Sequence, residues 1–224
     1  MPSATPSKHR IRPEKLPGTA PHRRLVLRAA EILKQGGVVA YPTETSYGLG
    51  ALVSRPEALE RIYRIKNRPE GKPLLVLVAH TGQLDELVER IPAAALPLID
   101  RFWPGPLTLL FPARPGLPRP LCGDTGKVGI RISAHPWAQA LVLASGRPIT
   151  ATSANLSGRV SAVSAQDVAS QLRDPLPDFI LDGGPTPGGL PSTILDVSGA
   201  VPRLVRPGVL NPEDIPGVRE TGRA

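Results

Sequence analysis

The chain has little sulfur and few aromatics. A single cysteine, Cys122, occurs in 224 residues, which excludes an internal disulfide and fits a reducing, cytoplasmic setting. No histidine partner or metal-type spacing accompanies it, so it reads as a structural thiol. Aromatic residues make up 4% of the chain against an apolar fraction of 41%, so the core must be largely aliphatic. No apolar run approaches the roughly 18–20 residues of a membrane span, and the N-terminus lacks the apolar stretch of a secretory leader. No Gly-x-x-x-x-Gly-Lys-Ser/Thr loop is present, and no Gly-x-Gly-x-x-Gly opens a helix after a strand. The four histidines, His9, His22, His80 and His135, show no ligand spacing, so no protein-held metal is expected. His135, ahead of Pro136, reads as a turn or helix-start residue. A Gly-x-Ser-x-Gly elbow is also missing, which counts against a covalent hydrolase.

Charge is plentiful but unevenly placed. The net charge is +8. Residues 1–24 hold six basic residues and one acidic residue, a balance of +5, which leaves +3 for the other 200. This basic segment is rich in Pro and Ser, a composition that favours disorder, and it could touch RNA phosphates without reading sequence. The chain therefore divides into a basic N-terminal extension over residues 1–21, one domain over 22–208 and a short C-terminal tail over 209–224.

Helix and strand signals alternate along the domain. Leu25, Val26, Ala29, Ile32 and Leu33 recur at helical spacing and Gly36-Gly37 stops them. Val38–Tyr41 reads as a short buried strand. Ser54 with Glu57 resembles a capping box opening a helix through Ile65. Leu74–Ala79 reads as a continuous strand, and short helices follow around Leu84–Val88 and over Ala94–Trp103. Leu107–Phe111 and Val128–Ile132 flank a Pro- and Gly-rich loop. After them come a helix over Trp137–Ala144, an extended Pro148–Ala151, a helix over Ser164–Leu172, and strands at Phe179–Leu181, Thr193–Val197 and Leu204–Val205. This order predicts a single-domain α/β fold with flanking helices around a twisted sheet. Direct strand-to-strand links late in the chain make the sheet mixed, parallel and antiparallel.

Four polar segments sit at the ends of these elements. Pro42-Thr43-Glu44-Thr45-Ser46-Tyr47-Gly48-Leu49-Gly50 follows an apolar run, and reads as a strand delivering a polar loop to a cavity rather than as a plain hairpin. The others are Lys66-Asn67-Arg68-Pro69, Thr152 to Gly158, and Pro191 to Asp196. Converging hydroxyl, amide and guanidinium donors suit phosphates and carboxylates. Lys66, Arg68 and Lys72 place three cations within seven positions, as a polyphosphate site or as a basic helix C-terminus. Arg131, inside an apolar strand, needs an anionic partner, either a structural carboxylate or a substrate; Arg206 has the same standing. Ser153, Asn155 and Ser157 could contact phosphate, ribose or base, or serve as turn and cap residues. Together the four segments point to one composite site.

These blocks, in this order, resemble the YrdC-type threonylcarbamoyl-AMP synthases from about Ala29 to Gly208. The matching stretches also include Phe102-Trp103-Pro104-Gly105-Pro106-Leu107-Thr108, Ser153-Ala154-Asn155-Leu156-Ser157-Gly158, Ser192-Thr193-Ile194-x-Asp196 and Arg206-Pro207-Gly208. The resemblance implies a twisted mixed α/β fold with a large positive cavity. It implies condensation of L-threonine, bicarbonate and ATP to threonylcarbamoyl-adenylate and pyrophosphate. The product serves threonylcarbamoyladenosine formation at position 37 of tRNA, through downstream threonylcarbamoyl-transfer proteins. Thr45, Arg131 and Thr193 would hold threonine. Arg68, Lys72, Ser153, Ser161 and Arg206 would hold ATP, with Lys66 and Asn155 in the same pocket, and Mg²⁺ would arrive on the phosphates. No general base is assigned: Glu44 is a candidate and equally a structural carboxylate. The sequence also departs from the family. Leu77 stands where many members have a histidine near substrate, Ser46 replaces an apolar residue, and Lys72 occupies a variable position. Longer members carry a second C-terminal domain, so a lid here is expected from the chain's own tail or a partner. Two alternatives are a non-catalytic RNA-binding module, which the basic extension would suit, and a carbamoyl-transfer domain of the hydrogenase-maturation type, whose Cys-rich setting one cysteine does not match.

Overall fold

The computed structural model describes residues 20–218; the basic extension expected over residues 1–21 lies outside it except for the first turn of a helix. That helix, α1 (Ala20–Lys34), buries Val26, Ala29, Ala30 and Leu33 and exposes Arg23, Arg24, Arg28 and Lys34. It ends where Gly36 adopts φ +89°, a left-handed turn open to glycine, so that the Gly37 N–H returns to the Ile32 carbonyl. Its buried face packs on α5 (Pro136–Ser145) through Ala138, Leu141 and Val142. These residues form a smaller core with Tyr41 and Ile149.

Two sheets organise the rest. β1 (Val39–Pro42) and β2 (Tyr47–Gly50) pair antiparallel from Val39–Gly50 to Pro42–Tyr47. They do form a hairpin, and its four-residue loop is the polar segment expected at a cavity. β7 (Thr152–Ser153) and β8 (Phe179–Ile180) flank the pair, giving the order β7-β2-β1-β8. The second sheet has six strands. They are β3 (Val76–Leu77), β4 (Leu107–Pro112), β5 (Lys127–Arg131), β6 (Ile149–Thr150), β9 (Thr193–Asp196) and β10 (Arg203–Arg206), in the order β10-β9-β4-β5-β3-β6. β3–β5 and β4–β9 run parallel and the other pairs antiparallel, so the fold is the mixed α/β sheet that the late strand links imply. The larger core holds Val128 and Ile130 of β5 with Leu107, Leu109 and Phe111 of β4. Alternation then gives Gly129 and Arg131 the opposite face of β5.

Four local expectations change. Ser54 does not cap α2 (Pro56–Lys66): Arg55 is the N-cap, without a side-chain bond, because Pro56 fits the first helical turn and leaves Ser54 outside it. The capping box occurs instead at Ser164 and Asp167, ahead of α6 (Ala165–Gln171). Only Val76–Leu77 of the run Leu74–Ala79 join a ladder; around them the Leu74 N–H bonds to the Pro120 carbonyl and the Val78 N–H to the Arg131 carbonyl. The helical signal around Leu84 is a 3-10 helix, Thr81–Glu86, and that over Ala94–Trp103 is a 3-10 turn leading into α3 (Leu96–Phe102). Beyond Gly208 the chain packs back on the body, and Ile215 enters the larger core.

Candidate anion-binding cavity

Both sheets end on a cavity of about 360 Å³. The β1–β2 loop supplies Thr43, Thr45 and Ser46. Thr43 Oγ1 ties this loop together: it donates to the Ser46 carbonyl at 2.7 Å and lies 3.1 Å from Thr45 Oγ1. Arg68 follows α2, whose C-cap Asn67 takes the left-handed conformation (φ 47°) that turns the chain toward the cavity. Its guanidinium donates Nε to the Lys72 carbonyl at 3.0 Å and Nη2 to the Pro73 carbonyl at 2.9 Å. β7 brings Ser153, the segment after it brings Asn155, Arg159 and Ser161, and the β9–β10 side brings Ser192, Ile194 and Arg206.

The electrostatics are one-sided. Arg68, Arg131, Arg159 and Arg206 all line the cavity, and among the described residues no carboxylate does. Arg131, 6% exposed, donates Nη1 to Glu44 Oε1 at 2.7 Å, and Ser133 Oγ donates to the other oxygen of Glu44. The anionic partner of Arg131 within the fold is thus a structural carboxylate, while the arginine still borders the cavity. Arg206 donates Nη2 to the Ser192 carbonyl at 2.7 Å, and its buried Nε has no partner among the described residues. Burial first, then the like charges of Arg131 and Arg68, pull Arg206 below the ordinary arginine value; burial also lowers Arg68. Tyr47 lines the cavity too, but burial pushes it up to about 12 and its hydroxyl donates to the Gly184 carbonyl, so it stays a neutral donor.

Of the residues expected at the site, Thr45, Arg68, Arg131, Ser153, Asn155, Ser161 and Arg206 come together around the cavity. Lys66, Lys72 and Thr193 do not line it. Lys66 is 1% exposed beneath the wall. Its ammonium donates to the Ser153 carbonyl, to the Asn155 carbonyl at 2.7 Å and, at 3.4 Å, to Asn155 Oδ1. Lys72 is exposed and contributes its carbonyl, which accepts from Tyr63 and Arg68. Thr193 is fully buried, with its hydroxyl donating to the Leu210 carbonyl and accepting from the Leu210 N–H. Sequence reasoning missed Ser192 and Arg159 as lining residues. Period-two alternation was the available signal for Ser192: Thr193 faces inward with the core, so its neighbour faces out.

A mixed α/β sheet ending on a hydroxyl-lined cavity with four guanidiniums and, among the described residues, no carboxylate makes this a candidate anion-binding domain. Its family is equally definite: the Sua5/YciO/YrdC family model, described as "Telomere recombination", matches residues 31–208, and the chain belongs to that family. It is 44% identical over 194 residues to the threonylcarbamoyl-AMP synthase of Bacillus subtilis, covering 86% of this chain and 56% of that protein. The threonylcarbamoyl-AMP synthase of Chromobacterium violaceum is 38% identical, over 84% of this chain and 95% of its own length. Among solved structures, Pyrococcus abyssi Sua5 complexed with L-threonine superposes with a TM-score of 0.83 at 40% identity, over 88% of this chain and 59% of that one. The chain thus spans little more than half the length of the Bacillus and Pyrococcus proteins. Among the described residues no helix is long and apolar enough to cross a membrane.

Proposed function

We propose that this chain is a threonylcarbamoyl-AMP synthase. The observation that carries the reading is the convergence of Arg68, Arg131 and Arg206, close enough for Arg206 to feel the charges of the other two, on a cavity that no carboxylate lines among the described residues. Such a cluster is at its least stable when empty and gains most from anions. The activity named for the Bacillus and Chromobacterium relatives supports the choice of reaction. The threonine amine condenses with bicarbonate, losing water, to give a carbamate. A carbamate oxygen then attacks the α-phosphorus of ATP, and pyrophosphate leaves with the electrons of the broken P–O bond. Both reactants are anions that must come within bonding distance, so the protein's work is positioning and charge neutralisation.

Within this proposal Arg131 takes the threonine carboxylate and Thr45 lies beside it. Arg68 and Arg206 take the triphosphate, with Ser153, Asn155 and Ser161 along the nucleotide. Lys66 and Thr193 hold these walls from behind, and Lys72 supplies the carbonyl that orients Arg68. Mg²⁺ enters as part of the nucleotide substrate. The guanidiniums and hydroxyls of the cavity would hold the phosphates that carry the ion. The product passes, in the cytoplasm, to a transfer protein acting on adenosine 37 of tRNA, with at most a transient RNA contact by this chain. The test is pyrophosphate release from ATP. Release that needs both L-threonine and bicarbonate is expected. No release from folded protein overturns the reading, and release supported by carbamoyl phosphate in place of both substrates assigns carbamoyl transfer instead.

A further inference from the structure

Glu44 sits in the β1–β2 loop immediately before Thr45. Both of its oxygens are engaged: Oε1 accepts from Arg131 Nη1 at 2.7 Å and Oε2 accepts from Ser133 Oγ. Arg131 and Ser133 are two residues apart at the end of β5 and share a face. The carboxylate therefore staples the hairpin loop to that strand end. Ser133 is itself fixed: it is 1% exposed, and its Oγ also accepts from the His135 N–H at 3.2 Å. Arg131 lines the cavity and Glu44 does not. Three charged or titratable groups face Glu44 here: Arg131, its ion-pair partner, and Tyr41 and His135, which both feel its charge. Burial holds His135 below its ordinary value and Tyr41 above its own, so both stay neutral.

A general base must reach the proton it removes. Glu44 is absent from the cavity lining, and both its oxygens already accept from fixed donors. What those bonds do accomplish is to hold one edge of a guanidinium. Arg offers five N–H donors in a rigid plane, so fixing Nη1 sets the direction of the others. We propose that Glu44 is a positioning residue. It orients Arg131, through the Ser133–Glu44–Arg131 chain, so that the remaining guanidinium donors meet the substrate carboxylate, and it takes no proton in the reaction. This rests on the threonine-binding role of Arg131 proposed above.

The test is calorimetric L-threonine binding to the full chain without ATP or bicarbonate, together with the kcat and KM of pyrophosphate release, for wild type, Glu44→Ala and Ser133→Ala. A loosened guanidinium should weaken threonine binding in Glu44→Ala by on the order of tenfold to a hundredfold, with a smaller fall in kcat at saturating threonine. Ser133→Ala should weaken binding in the same direction by less. Ser133 carries no charge, so its effect cannot come from an altered potential, and it remains informative if Glu44→Ala does not fold. A collapse of kcat in Glu44→Ala with threonine affinity unchanged would make Glu44 the base and overturn the proposal. So would tighter threonine binding in Glu44→Ala with Ser133→Ala unchanged, because Glu44 would then be only a repelling charge. Wild type that binds no threonine would already defeat the proposed function, and this inference with it, before any variant is compared.

Discussion

Arg131 and Arg206 reach one cavity from the same six-stranded sheet, and the fold holds them in opposite ways. Arg131 lies on β5, an interior strand, and is paired with Glu44. Arg206 lies on the edge strand β10, where the pairing with β9 shifts register between Leu204 and Arg206. A bulge of this kind re-aims a side chain at a sheet edge. Arg206 there donates to neutral Ser192 acceptors, has no partner for its buried Nε among the described residues, and feels the charges of Arg131 and Arg68. The desolvation of one guanidinium is thus met by a carboxylate inside the protein, whereas that of the other is met only in part by neutral acceptors. Under the proposed function, the comparison separates a cation that serves both the fold and the site from one that serves mainly the site.

The pair Arg131→Ala and Arg206→Ala can break this comparison, and carries the largest expected effects. Arg131→Ala should lower turnover on the order of a thousandfold and also destabilise the fold by about 3 kcal/mol, because Glu44 is left half-buried without its cation. Arg206→Ala should lower turnover about a hundredfold, chiefly through weaker ATP binding, while the urea midpoint stays or rises as a like charge is removed. Pyrophosphate release and urea melts measure both quantities. Equal destabilisation by the two variants would erase the distinction.

Lys66 sharpens the same question one layer further out, since it is a buried cation with oxygen acceptors but, among the described residues, no carboxylate. Burial, and secondarily Arg68, bring it from 10.5 to about 7. The carbonyl oxygens of Ser153 and Asn155 pull the other way by stabilising the ammonium. If burial prevails, the unfolded chain holds a proton between about pH 7 and pH 10.5 that the folded chain has released. Stability from this group then rises with pH across that window and is flat below it. Lys66→Met has no such proton. It should cost about 2 kcal/mol for the carbonyls left unpaired and lower turnover roughly tenfold through a looser Ser153–Arg159 wall. The wild-type advantage in urea stability should widen from pH 7 to pH 10. An advantage independent of pH would mean that the acceptors keep Lys66 charged throughout.

The sequence carried the site's outline further than its internal wiring. The α/β alternation was legible from apolar spacing, and the four polar segments at element ends do meet at one cavity. Arg131 stood out because a charge inside an apolar strand demands a partner. Its partner, Glu44, lies 87 positions away, and no local pattern links residues at that separation. Lys66 and Lys72 looked alike as cations near a turn; only tertiary packing buries one beneath a wall and exposes the other. Ser54 carried a sound capping signal that Pro56, better suited to the first helical turn, overrode. Arg159, beyond Gly158 in a loop, had no periodicity to mark it.

Thr193 carries the smallest expected effect and tests why Arg206 stays in place against the charges it faces. The segment after Arg206 lies directly on Pro191–Thr193. The Val209 N–H bonds to the Pro191 carbonyl at 2.9 Å, and a Cβ on Gly208 would collide with that same carbonyl. The Thr193 hydroxyl closes this contact with two bonds to Leu210, at 2.9 and 3.0 Å. It thereby secures the stretch bearing Ser192, the acceptor for Arg206. Thr193→Val keeps the side-chain shape and removes both bonds. The expected cost is about 1–2 kcal/mol of stability, and KM for ATP should rise roughly threefold as Arg206 loosens, with KM for threonine little changed. Thr193→Ser restores the hydroxyl and should restore both quantities. A rise in KM for threonine with that for ATP unmoved would instead give the hydroxyl to the substrate, and Arg206 would then be held by its Ser192 bonds alone.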